Sequence, residues 1–290
     1  MVAIKSMNKV WVVAAGLCVA AGSAGAFGVA ITANSVTGAQ ATNITVTGTA
    51  TLNGVLTGMY KAATSGPGAP TGSPFDVFCI DPKTSGSASG SYSEVSLYSF
   101  LNTVTSVGPP SRTGYQEQFT NPGYTGAANY SANSNTTEVL NNIVNLYSHA
   151  YKDADLTAGA ALRADKLTAF GYVLWEIMGE AAGGLGRSIG GLTETNSLSA
   201  NVNTWIDKYV SALTGGVTTW ATLGLELKND TFTYSVFYDA LAHTGQNFLR
   251  VTPSGSNGGI TSIPEPGTIA LAGLALLGTF RASRRKAVMA

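Results

Sequence analysis

Hydrophobic and polar residues alternate along the first part of the chain and again near its end. Between those stretches the period lengthens to that of a helix. Residues Ile44 to Leu52 read Ile-Thr-Val-Thr-Gly-Thr-Ala-Thr-Leu, with threonine on one face and mostly apolar residues on the other. That alternation predicts a half-buried strand, and the threonine face reads as solvated sheet surface rather than as a ligand-binding ladder. Phe75 to Pro82 predicts a short strand stopped by Pro82, and Tyr92 to Phe100 predicts another. Ser65 to Ser73 is rich in Gly and Pro and reads as a loop. Thr105 to Ser134, rich in Gly, Pro, Asn and Tyr, reads as a long irregular segment.

Three helices are predicted next. Asn135 and Glu138 form a capping pair, followed by an apolar stripe of Leu140, Ile143, Val144, Tyr147 and Ala150. A second helix is expected over Ala158 to Glu180, with Leu167, Phe170, Leu174, Ile177 and Met178 inward and Gly183-Gly184 ending it. A third, Leu198 to Leu213, presents Val202, Trp205, Ile206, Tyr209 and Leu213. The stripes read as core. Strands then resume as a hairpin: Leu223, Leu225 and Leu227 alternate outward, Asn229-Asp230 turns, and Phe232, Tyr234, Val236 and Tyr238 alternate on the return. Gln246 to Val251 is a last strand. The expected class is α+β: an antiparallel β-sandwich or barrel-like sheet with an inserted three-helix segment at about 135–214.

The two ends break this pattern. Lys5 and Lys9 precede an apolar run, Val10 to Ala21, and Ala24-Gly25-Ala26 supplies a small-residue cleavage site before Phe27. That order marks residues 1–26 as a secretory signal peptide. Residues 27–252 form the extracytoplasmic domain, 253–262 a Gly/Ser linker, and 263–290 a distinct tail. In the tail Ile263-Pro264-Glu265-Pro266-Gly267-Thr268 leads into the apolar run Ile269 to Phe280, then Arg281, Arg284, Arg285 and Lys286. The prolines make a rigid, extended hinge, and the four cations should stay on the cytoplasmic side of a membrane. The run is shorter than the ~20 residues a permanent spanning helix needs. This suits a processed signal better than an ordinary single-pass anchor.

Hinge, apolar run and basic end in this order resemble the PEP-CTERM sorting signal of Gram-negative bacteria. The resemblance implies processing near Pro264, Glu265, Pro266 and Gly267 by an exosortase, with Arg281, Arg284, Arg285 and Lys286 as the cytoplasmic stop. It implies further partners: the secretory translocon, signal peptidase acting at Ala24 to Phe27, and the membrane held by the C-terminal transmembrane helix before processing. It also implies a polysaccharide-producing host, and a biofilm or extracellular matrix as the destination.

Charge narrows the partners. Between Phe27 and Ile263 there are ten Lys or Arg against fifteen Asp or Glu, so the body carries a net charge of −5 and the neutral overall figure comes from the basic ends. A sparse, mildly acidic body excludes nucleic acid as a partner. With Cys18 lost in the signal, Cys79 is the only cysteine left, and no intramolecular disulfide is expected.

Two stretches are candidates for chemistry: Phe78-Cys79-Ile80-Asp81, and Ala169-Phe170-Gly171-Tyr172-Val173-Leu174-Trp175-Glu176-Ile177. With strands before and after, they resemble the thioester domains of bacterial surface adhesins. There a strand Cys bonds to a Gln four residues before a helical Trp, giving a latent electrophile. Here Gly171 stands four residues before Trp175 and has no amide to condense, so Gly171 reads as a close-packing site and Cys79 as a buried, free thiol. Other constellations are weaker. His149 and His243 have no metal-ligand spacing with Cys79, and no cofactor or metal is expected. Glu176 and Glu180, one turn apart, read as a solvated helix edge rather than paired catalytic acids. Two function classes stay open: a non-catalytic exported surface or matrix protein, and a covalent adhesin or hydrolase built on Cys79.

Overall fold

The computed structural model describes residues 27–31, 37–46, 52–82, 91–106, 112–118, 132–180, 182–195, 197–215, 217–225, 232–239 and 246–254. Six strands close an antiparallel barrel: β1 (Phe27–Ile31), β5 (Ser91–Ser96), β9 (Phe232–Tyr238), β10 (Phe248–Pro253), β4 (Phe75–Cys79) and β3 (Leu52–Ser65), with β1 pairing back onto β3. The lower half of β3 carries a flap made of β2 (Thr37–Val46) and β8 (Leu192–Glu194). The β3 strand can serve both barrel and flap because it is fourteen residues long and bends at Gly58, whose φ of 134° is open to glycine alone. The expected barrel-like α+β sheet is therefore present.

Period-2 alternation sorts the strand residues. Phe248 of β10 points into the barrel, where it meets Tyr60 and Tyr92 at ring distances of 6.5 and 6.3 Å. Its neighbour Leu249 points out, opposite Phe78, and Phe78 packs at 5.0 Å on Phe170 of the central helix. Arg250 of this wall, 4% exposed, bonds Glu94 at 2.9 Å and stacks 3.7 Å from Phe75.

The helical layer differs from the expected three-helix insert. Two short helices, α1 (Leu97–Asn102) and α2 (Gly114–Gln118), and a small hairpin of β6 (Val104–Ser106) and β7 (Arg112–Thr113) precede it. The segment read as irregular therefore contains structure. The segment Tyr92 to Phe100 leaves the sheet halfway: Ser96 caps α1 by accepting from the Ser99 N–H at 3.0 Å, which turns a strand into a helix.

Next come α3 (Thr136–Leu146), a π-helical turn (Tyr147–Tyr151) and α4 (Lys152–Leu156) in one run, then α5 (Ala160–Gly179), α6 (Ala200–Gly215) and α7 (Val217–Thr222). The Asn135–Glu138 pair does cap α3 reciprocally, at 3.1 and 3.2 Å. The buried stripe is rotated from the expected one, running through Val139, Ile143, Leu146, Tyr147 and Ala150. The helices reach Thr222, beyond the expected end at 214, and β8 interrupts them.

Two strand assignments are corrected. Ile44 and Leu52 are cross-strand partners, so the alternating stretch between them joins two strands of a hairpin. Leu223 and Leu225 are helix-end residues, their N–H groups donating to Thr219 and Trp220 carbonyls. The β10 strand runs through Pro253, one residue into the expected linker. The signal peptide and the sorting tail, and with them the expected transmembrane helix, lie outside the described residues. Among the described residues no helix is long and apolar enough to cross a membrane.

Candidate functional site

The Phe78-Cys79-Ile80-Asp81 stretch and the α5 stretch lie together, as the paired motifs suggested. Helix α5 crosses the barrel with Trp175 facing the end of β4, and its indole Nε1–H donates to the Cys79 carbonyl at 3.0 Å. The next two carbonyls are held the same way. Ile80 O accepts from Gln118 Nε2 at 2.9 Å, and Asp81 O accepts from Gln246 Nε2 at 2.9 Å. Gln246 is held in turn by Tyr92, whose hydroxyl donates to its carbonyl at 3.0 Å. Gln118 accepts from Asn247 Nδ2 at 3.3 Å. Three consecutive carbonyls leaving the sheet thus have side-chain donors from three separate segments, which is what burial of irregular backbone demands.

Cys79 is enclosed by this arrangement. It is 2% exposed, free of any disulfide, and its thiol donates to Asp81 O at 3.0 Å while accepting from the Asp81 N–H at 3.3 Å. Burial pushes its pKa well up, and the nearby Asp81 adds to the shift; Trp175 and Gln246, also in hydrogen-bond reach, only partly oppose it. A thiol held protonated is a poor nucleophile.

Gly171 packs against the strand rather than leaving a gap. A Cβ there would stand 2.8 Å from Gly58 N and 2.9 Å from Thr57 Oγ1. Thr57 itself donates to the Thr168 carbonyl at 3.0 Å, clamping β3 onto the same turn of α5. Gly58 adjoins Met59, whose cross-strand partner is Phe78, the residue before Cys79. The strand backbone therefore fills the place from which a residue-171 side chain would approach the thiol.

The second cluster overturns an expectation. Glu176 and Glu180, read as a solvated edge, are 0% and 6% exposed. Glu176 Oε2 accepts from the Gly186 N–H at 3.1 Å, and Glu180 Oε1 accepts from the Leu192 N–H at 2.5 Å. They pin the Gly-rich loop at 182–192 onto α5. Glu194 does the same for the start of α6, accepting from the Ser197 and Leu198 N–H groups. Glu176 Oε1 has no hydrogen-bond partner, and the Tyr172 hydroxyl beside it has none of good geometry. Desolvation raises Glu176 well above the ordinary carboxylate range, with Glu180 adding to the shift, and desolvation raises Glu180 to about 7. Both carboxyls lie under the loop they hold.

His149 lies in the π-helical turn, which carries the helix onward, and its ring stacks 4.9 Å from Trp220 with Nδ1 2.9 Å from Leu225 O. Among the described residues no group of three His, Cys, Asp or Glu is placed to hold a metal ion. His243 lies outside the described residues, as do Ala24, Ala26, Pro264, Glu265, Pro266, Gly267, Arg281, Arg284, Arg285 and Lys286. Phe27, the first residue after the expected signal cleavage, is the buried start of β1.

Against known proteins, residues 262–286 match the PEP-CTERM protein-sorting motif. No curated protein and no solved structure matches the chain. The body's likeness to a thioester domain gains no support from these comparisons.

Proposed function

We propose that the body is a non-catalytic surface or extracellular-matrix protein, delivered by an exosortase and displayed or released among the host's polysaccharide. The single observation that carries the delivery is the sorting motif at residues 262–286, which makes the chain an exported, exosortase-sorted protein with a membrane-anchored precursor. The non-catalytic reading rests on the body. Its candidate nucleophile is covered and held protonated, the place of the missing amide is occupied by strand backbone, and its two helical carboxyls are shut under a loop. The domain limits that go with this reading are a signal peptide at 1–26, a body from 27 that with β10 extends through Pro253, a linker up to 262 and a sorting tail at 263–290. A degenerate thioester-domain-like scaffold is the ancestry this reading favours.

The test is to change Pro264, Glu265 and Pro266 together to Ala in an exosortase-bearing host. Insertion should survive, because Ile269 to Phe280 and the Arg cluster are intact. Processing should stop, leaving a larger, membrane-fractionating species, while mass spectrometry of the parent protein locates its cut end. Normal processing of the triple variant would refute the sorting role of these residues.

A further inference from the structure

The segment between α4 and α5 is built to hold apolar residues out in solvent. Leu156 is 68% exposed and Leu162 42%, and Ala158, Ala160 and Ala161 between them are exposed as well. Gly159, at φ 91°, makes the turn. The polar atoms of the segment point the other way. The Thr157 hydroxyl turns back to donate to the Asp153 carbonyl and accepts from Lys166 Nζ at 2.9 Å. Lys166 also pairs with Asp153 at 2.6 Å, and Arg163 pairs with Asp155 at 2.5 Å. Both carboxylates of the segment are thus neutralised at its base, and Lys152 is exposed beside it.

Its place on the barrel is fixed by ring contacts. Tyr147 sits nearer Tyr234 (5.5 Å) than Phe232 (6.3 Å), while Tyr151, one turn on, has Phe232 at 6.1 Å. The helical run therefore heads toward the Phe232 end of β9 and carries Leu156 past it. Phe232 is the cross-strand partner of Pro253, where β10 and the barrel finish. The apolar tip and the exit of the chain toward its tail share one end of the molecule. From Ser254 the chain has nine residues before Pro264, at most about 30 Å when extended.

We propose that the Leu156–Leu162 tip rests in the extracytoplasmic leaflet of the membrane that holds the uncut tail. The inference rests on the anchored-precursor reading above. The short tether keeps this end of the barrel against the bilayer, and a small apolar tip with its carboxylates paired and a lysine at its rim fits a lipid interface, where apolar side chains bury ~5–10 Å deep. The tip would give the body a second point of contact and hold the linker, and so the sorting motif, at the membrane surface.

The test uses the full chain with Cys18→Ser, reconstituted into phosphatidylethanolamine/phosphatidylglycerol vesicles. Cysteines replace Leu156, Leu162 or Ile189 one at a time and carry an environment-sensitive dye, the native Cys79 being buried out of its reach. Ile189 is 51% exposed beside the far end of α5, some 30 Å away by the length of that helix, and serves as the apolar control. Dye at 156 and 162 should shift to the blue and be quenched by headgroup nitroxide severalfold more than dye at 189. A chain that floats with the vesicles but shows equal quenching at all three positions overturns the tip alone. A chain that does not float overturns the anchored-precursor reading and the tip with it.

Discussion

Trp175 and Glu176 are neighbours on α5, yet they serve two polar clusters of opposite character. Trp175 looks toward the barrel, where the carbonyls of Cys79, Ile80 and Asp81 each have a side-chain donor. Glu176 looks the other way, into the loop at 182–192, with one oxygen bonded and the other bare. The first cluster is satisfied by neutral amide and indole donors and is insensitive to pH. The second is satisfied only in part, and by carboxyls that must stay protonated to be tolerated in a dry site. The contrast separates two ways of burying polarity: neutral donors give a cluster that simply holds, whereas acids give one that holds conditionally. Neither leaves a reactive group in reach of solvent.

The largest effect should come from the contact that sets α5 against the barrel. Gly171→Gln restores the residue a thioester would need, but its Cβ meets Gly58 N at 2.8 Å, and a backbone atom cannot swing aside. Overpacking of this kind costs about 1–3 kcal/mol and more when backbone must move, against a gain of about 1 kcal/mol in helix propensity. Urea titration should show a marked fall in midpoint, with no mass deficit of ammonia. A stable variant that loses ammonia would mean that β3 yields and the paired chemistry can be rebuilt.

Next in size is the neutral cluster. Gln246→Ala removes the amide donor to Asp81 O and leaves that buried carbonyl with the weak Cys79 S–H in its place, which should cost about 1–2 kcal/mol. The loss should be the same at pH 5 and pH 8. A loss that varies with pH would bring Asp81 or Cys79 into the titration and blur the distinction between the clusters.

The acidic cluster predicts the opposite behaviour. In the unfolded chain both carboxyls ionise near 4.5, whereas in the fold Glu180 holds its proton to about 7 and burial holds Glu176 well above the ordinary carboxylate range. Between those limits the unfolded state releases protons first, so their contribution is fully present below 4.5 and is lost as pH rises through 7. The urea midpoint should fall from pH 5 to pH 8. Glu176→Gln, nearly isosteric with the protonated acid, should change stability at pH 6 by no more than about 1 kcal/mol and flatten the alkaline part of the curve. A parent protein equally stable at pH 5 and pH 8 would show that the loop relaxes to hydrate the pair.

How much of this was legible in sequence depended on distance along the chain. The Asn135 cap of α3 and the alternation of β9 are local and appear as expected. The hairpin between Ile44 and Leu52 was hidden because both limbs and the turn share one alternating threonine pattern, and period 2 carries no mark of reversal. Glu176 and Glu180 were misplaced because an amphipathic reading assumes one wet face. From Asp165 to Gly179 α5 is buried all round, between barrel and flap on one side and α6 and the loop on the other. Gln118 and Gln246 were not singled out as partners, since each reaches its carbonyl across 38 and 165 residues of chain. The one usable signal was the scarcity of glutamine in a body that solvates itself with Ser, Thr and Asn.

The smallest effect, and the one that separates the two functional readings, belongs to Cys79. Its sulfur contributes a small apolar volume and a weak S–H donor, so Cys79→Ala should cost only about 1 kcal/mol, the low end for a buried truncation. In the folded protein the thiol is 2% exposed and kept protonated by burial and by Asp81, so a disulfide reagent should react only when the chain unfolds. The labelling rate should therefore follow the unfolding equilibrium and rise steeply with urea. Intact mass should match the unmodified body, and methylamine should add nothing. Gln246 makes this more than a formality, because its amide and the Cys79 sulfur meet at one carbonyl, that of Asp81. Condensation would have to expel the Gln246 amide nitrogen as ammonia, and with it the N–H that bonds Asp81 O, emptying a site the fold fills. A mass lower by one ammonia that Gln246→Ala restores would overturn the non-catalytic reading and place the chemistry on a residue outside α5.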